Sequence, residues 1–108
     1  MTWMNCEGWW EQPGFGRQTM SDLRLQYANG LVEGRGKDVV GAFQIHGSVN
    51  ATTASLIKQY DDAHEVTYHG MRDGEGAFFG RWSIFGLGGK WLIKIRSTEG
   101  QSSRIHDL

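Results

Sequence analysis

Apolar and polar residues alternate with a period of two along nearly the whole chain, and no stretch of 10 residues or more carries a helical period. Alternation of this kind places successive side chains on opposite faces of a strand, one toward a core and one toward water. Residues 8–11 open the series, and Pro13-Gly14-Phe15-Gly16 ends that first strand, because proline cannot donate to a ladder. Residues 23–27 place Leu23, Leu25 and Tyr27 on one face. Asn29-Gly30 follows and suits a type I′ turn, since both residues accept positive φ. Residues 31–36 return as its partner.

Further strands are predicted over residues 41–49, 55–60, 64–70, 77–84 and 91–95, with turns at Lys37-Asp38, Asp61-Asp62, 73–76 and 86–89. In the fourth strand Phe43, Ile45 and Val49 face one way and Gln44, His46 and Ser48 the other. In the fifth, either Leu56 or Ile57 sets the inward face. A motif repeats: Gly41-x-Phe43-x-Ile45-x-Gly47 returns as Gly80-x-Trp82-x-Ile84-x-Gly86, which places all four of its members on one side of each strand. The pattern therefore predicts an all-β fold, an antiparallel up-and-down meander of about eight strands. Two open edges would invite aggregation, so a closed or nearly closed small barrel is expected. Residues 1–96 form the single barrel domain and 97–108 a polar C-terminal tail.

Composition sharpens this picture. Glycine makes up 16 of 108 residues and proline occurs once, while aromatic residues are abundant, which fits a tightly turned, bulged sheet rather than a disordered chain. A formal net charge of −1 with scattered Lys and Arg gives no basic stripe, so neither nucleic acid nor an anionic membrane surface is expected as a partner. Cys6 is the one cysteine and reads as a buried, inert thiol. The first residues show no charged and apolar leader pattern, and no apolar run is long enough to span a bilayer as a helix, so a cytoplasmic location is expected.

Gly8-Trp9 opening the first strand, the meander of short strands and Arg96 closing the last resemble the calycins, the group of lipocalins, fatty-acid-binding proteins and avidins. In that group a first-strand tryptophan packs near a late basic residue at the closed end, which implies a contact of Trp9 or Trp10 with Arg96. The resemblance implies a barrel that holds a small ligand. No biotin-binding residue of the avidins has a counterpart here.

Motif chemistry is sparse. Gly86-Leu87-Gly88-Gly89-Lys90 has Ile84 in place of the first glycine of a phosphate loop and Trp91 in place of its Ser or Thr, so it reads as a turn. His64 and His69 fall on opposite faces of one strand and cannot share a metal. No catalytic residue, metal site or cofactor is assigned. Alternation does send polar and aromatic groups inward: Tyr27, Lys58, Tyr60, His64, Tyr68 and Trp82. Hydrogen-bonding groups among aromatic walls are the makeup of a small-molecule site, although side chains can also simply fill an eight-stranded barrel. On the outer face Val32, Met71, Phe79 and Leu92 are apolar, with Phe79 and Leu92 on neighbouring strands. Three readings follow. The first is a non-catalytic barrel binding a small, partly apolar ligand at its mouth. The second is a protein-interaction or homo-oligomeric module using Phe79 and Leu92. The third is an enzyme using the mouth, with His64 or Tyr68 as acid or base.

Overall fold

A two-faced strand can bury its apolar face without leaving an edge only if the sheet closes on itself. The computed structural model describes residues 2–98, and among them the chain takes this solution with eight strands and no helix. The strands are β1 (Met4–Gln12), β2 (Gly16–Ala28), β3 (Leu31–Lys37), β4 (Ala42–Val49), β5 (Thr53–Tyr60), β6 (Glu65–Arg72), β7 (Ala77–Ile84) and β8 (Leu87–Thr98). Each pairs antiparallel with the next, and β1 closes the barrel against β8 from Met4↔Thr98 to Trp10↔Trp91. Turns 13–15, 38–41, 61–64 and 85–86 gather at one end, the mouth. Turns 29–30, 50–52 and 73–76 gather at the other, together with the start of β1 and the end of β8.

The inward row is the one that alternation selects. Leu23 and Leu25, Phe43 and Ile45, Leu56 and Tyr60, Val66 and Tyr68, and Trp91 and Ile93 are all buried. Leu56, not Ile57, sets the inner face of β5. Three expectations change. Val32 is buried rather than outward: it pairs with Tyr27 across the Asn29-Gly30 turn, and opposed residues share a face. Tyr27 keeps the inward side, but there β2 runs past the core, so its ring lies exposed at the end opposite the mouth, where Arg72 donates to its hydroxyl at 3.4 Å and to the Asn50 carbonyl at 3.1 Å. The last reversal is not 86–89 but Phe85-Gly86, with φ of 52° and 77°, so that Ile84 pairs with Leu87 and β8 starts earlier. β8 also extends through Ser97 and Thr98, and the rest of the expected tail, 99–108, lies outside the described residues.

Glycines set how closely the strands approach. Gly70 and Gly80 pair directly across β6 and β7, beneath the indole of Trp91. A Cβ on Gly80 would overlap the His69 carbonyl and the Gly70 Cα, and one on Gly70 would overlap the Phe79 carbonyl and touch Trp91 at 3.0 Å. Small residues here make room for the largest side chain in the core. In the repeated motif Gly47 and Gly80 allow close approach of neighbouring backbone, at Ser55–Leu56 and His69–Gly70 respectively, whereas Gly41 and Gly86 sit in turns at positive φ and not in the inward row. Because backbone cannot step aside as a flexible side chain can, Gly80→Ala is expected to destabilise the fold by about 3 kcal/mol, the upper part of the usual overpacking range. Urea unfolding checks this, and a change under about 0.5 kcal/mol, the scatter of surface substitutions, would contradict the packing argument.

Candidate functional site

A lysine on the inner face of a barrel needs a counter-charge and hydrogen-bond acceptors, since burying a lone ammonium is costly. Lys58 is 1 % exposed, and the β3–β4 turn supplies what it needs. Asp38 and Gly41 exchange backbone hydrogen bonds at 3.0 and 3.1 Å, and the Val40 N–H donates to Asp38 Oδ1 at 2.9 Å, an aspartate-type turn. The fold of this turn points Val39 and Val40 outward and swings the Asp38 carboxylate over the barrel interior, where none of its side chain is exposed. Asp38 Oδ2 accepts from Lys58 Nζ in a short ion pair, from the Tyr60 hydroxyl at 2.7 Å and from Trp10 Nε1 at 3.1 Å. Lys58 also donates to the Tyr68 hydroxyl oxygen at 3.3 Å. Its Nζ lies 4.3 Å from the Phe43 ring centroid, 4.7 Å from Tyr60, 5.5 Å from Trp10 and 5.6 Å from Tyr68. Rings at these distances present their negative faces to the ammonium and replace part of its lost hydration.

The electrostatics follow from that enclosure. Burial pulls the Lys58 ammonium down to about 8, against the raising effect of Asp38's hydrogen bond and charge. For Asp38, burial works upward, but the hydrogen bonds from Lys58, Tyr60 and Val40 together with the Lys58 charge hold it below the ordinary carboxylate range. Tyr60 and Tyr68 are both raised, by burial first and then by the neighbouring Asp38 carboxylate, so each stays a neutral phenol.

Above this polar floor lies a cleft of about 230 Å³ open at the mouth. Trp10, Tyr60, Tyr68 and Trp82 wall it, with Val66 and Ile84 between them, and Trp10 meets Trp82 edge-to-face at 5.8 Å. Val40, Phe85 and Leu87 form its rim, Phe85 being 86 % exposed. A larger depression of about 680 Å³ runs across β1–β4, where exposed Asp22, Arg35, Lys37 and Gln44 of mixed charge line it beside Cys6, Leu23 and Phe43.

Of the residues singled out from sequence, Lys58, Tyr60, Tyr68 and Trp82 converge on the mouth. His64 precedes β6 rather than belonging to it, and stands exposed at the rim against Tyr60 with ring centroids 5.0 Å apart. Tyr27 is at the opposite end and takes no part. Phe79 and Leu92 face outward and pair across β7 and β8 in one row with Trp9 and Met71. The expected contact of a first-strand tryptophan with Arg96 does not form. Arg96 pairs with Glu7 at 3.4 Å on the outer wall, Trp9 stacks under Arg17 at 3.8 Å, and Trp10 serves Asp38 instead. Asp38 was missed as a site residue: a turn position has no alternating face to give it away. Burial pushes the Cys6 thiol up to about 12, and it has no part in the mouth. Among the described residues no group of three or more His, Cys, Asp or Glu is placed to hold a metal ion.

No protein-family model matches the chain, and comparisons with curated proteins and with solved structures find no match either.

Removing one member of a buried pair strands the other, so Lys58→Met and Asp38→Asn are each expected to cost about 3–5 kcal/mol, and the double variant markedly less than their sum. Acid pH gives a second reading of the pair. With its folded pKa depressed, Asp38 contributes stability that is present above its unfolded value and lost as pH falls from about 4 through the folded value. Asp38→Asn should flatten that limb. Exposed Asp73, held low by the Glu75 and Ala77 backbone N–H groups, keeps part of the slope. Additive single-variant costs with an unchanged acid limb would contradict a coupled pair.

Proposed function

We propose that the protein is a non-catalytic binding barrel whose mouth takes a small, partly apolar ligand. The observation that carries this reading is the cleft itself: aromatic walls over the Lys58–Asp38 pair, open at the end where four turns gather. Its volume of about 230 Å³ lies below the ~300–1,000 Å³ of sites for drug-sized molecules, which points to a compact ligand. The exposed apolar rim residues Val40, Phe85 and Leu87 extend the apolar wall outward and favour entry from that end. An acid–base enzyme at the same mouth is less favoured, because among the described residues no carboxylate is hydrogen-bonded to the His64 ring to orient it, and Tyr68 is held neutral.

A second reading has its own support. Trp9, Leu92, Phe79 and Met71 are opposed in register on four neighbouring strands, an apolar row on the outer wall suited to self-association. One experiment separates the two. In ¹H–¹⁵N spectra of the labelled protein, a set of neutral fragments of about ten heavy atoms should shift the amides of Trp10, Val40, His64 and Phe85, and Val40→Trp, a change at an exposed rim position, should abolish the shifts. Shifts confined to Phe79 and Leu92 that grow with protein concentration, with none at the mouth, would overturn the binding reading in favour of assembly.

A further inference from the structure

The binding reading leaves the chemistry of the ligand open, and the charge bookkeeping of the mouth narrows it. Among the described residues no Asp, Glu, Lys or Arg lines the cleft. The two ionised groups beneath it neutralise one another, and each is already fully engaged. Both carboxylate oxygens of Asp38 are taken, Oδ1 by the Val40 N–H and Oδ2 by Lys58, Tyr60 and Trp10. The Lys58 ammonium is divided between Asp38, Tyr68 and the surrounding rings. An anion entering the cleft would lose its hydration and find no uncompensated cation, and a cation would find no uncompensated carboxylate.

The indole N–H groups of the walls are spent as well, Trp10 on Asp38 and Trp82 on the Glu11 carbonyl at 2.9 Å. Tyr60 gives its proton to Asp38. Tyr68 is different. Its oxygen accepts from Lys58, but among the described residues its own O–H proton has no acceptor. Tyr68 lines the cleft, so a donor without a partner stands in a mostly apolar chamber, whose other polar side chains outside the Asp38 network are Gln12 and His64. A buried donor left unmet costs free energy that a ligand acceptor would recover.

Resting on the binding reading above, we infer that the mouth selects small, uncharged, flat molecules that present a hydrogen-bond-accepting carbonyl oxygen to the Tyr68 hydroxyl while their apolar part lies among Trp10, Trp82 and Tyr60. Aryl ketones and aryl amides are the class that combines these features. The edge-to-face pair of Trp10 and Trp82, with planes at 84°, offers one ring face and one ring edge to such a molecule.

Four small benzene derivatives decide the matter: acetophenone, toluene, benzoate and benzylammonium, titrated at pH 7 against the indole N–H signals of Trp10 and Trp82. Acetophenone should bind at least tenfold tighter than either ion. It should bind about three- to tenfold tighter than toluene, the worth of one neutral hydrogen bond. Tyr68→Phe should erase the advantage of acetophenone over toluene and leave toluene binding unchanged. Should that variant fail to fold, carbonyl-¹³C acetophenone reads the same contact in the wild-type chain, as a downfield shift on binding. Tighter binding of benzoate or benzylammonium would overturn the inference while leaving the mouth as a binding site. Equal binding of acetophenone and toluene, or an unmoved carbonyl signal, would overturn the role of Tyr68. No indole shift with any of the four would overturn the binding reading together with this one.

Discussion

The buried pair of Lys58 and Asp38 is the constraint around which the mouth is arranged. An ammonium on the inner face of β5 is tolerable only with a carboxylate against it, and the nearest source is a turn at the barrel rim. Bringing Asp38 inward fixes the conformation of residues 38–41, turns Val39 and Val40 out, and draws the Tyr60 hydroxyl and the Trp10 indole N–H to the same oxygen. Four strands are thereby tied through one carboxylate: β3, whose end leads into Asp38, β1 through Trp10, and β5 through Lys58 and Tyr60, with β6 joined by the bond from Lys58 to Tyr68. The same network consumes most of the polar atoms that would otherwise face the cleft, which leaves its lining mostly apolar, with Gln12 and His64 as polar exceptions.

Closure of the barrel rests on a different device. A sheet of eight strands that also holds Trp10, Trp82 and Trp91 inside must alternate large and small inner residues between neighbouring strands. Gly70 and Gly80 lie beside Trp91, Gly34 under Leu25, Gly36 beside Phe43 and Gly89 beside the Trp82 indole. The aromatic content and the glycine content of the chain are thus two sides of one packing solution, and the cleft is the portion of the interior, toward the mouth, that this interdigitation leaves unfilled.

Strand number, meander and closure were legible because alternation and turn chemistry act locally and agree with one another along most of the chain. Lys58, Tyr60, Tyr68 and Trp82 were legible for the same reason: each sits in the middle or mouth-ward half of a strand whose register is set by apolar neighbours. Tyr27 was misplaced because parity gives a side and not a height, and β2 outruns the core. Val32 could have been placed correctly, since a two-residue turn at Asn29-Gly30 already opposes residues 27 and 32. The Phe85-Gly86 turn was hidden because a bulky aromatic at positive φ is uncommon. Asp38 left one usable signal, namely that an inward lysine demands an acid and that Asp38 stands in a turn with two valines after it, an unusual apolar surface loop.

The central claim is that Lys58 and Asp38 are an ionised pair sealed inside the barrel. Its most direct test is an NMR observation of both partners in the intact protein near pH 6, through the Lys58 ammonium nitrogen and the Asp38 carboxyl carbon. A sealed, ionised pair gives a lysine ammonium signal protected from water exchange, and an Asp38 carbon at the ionised position whose titration begins below the ordinary carboxylate range. A neutral Lys58 amine, an Asp38 carbon that titrates as a free side chain does, or an ammonium that exchanges as fast as those of the exposed lysines would contradict it.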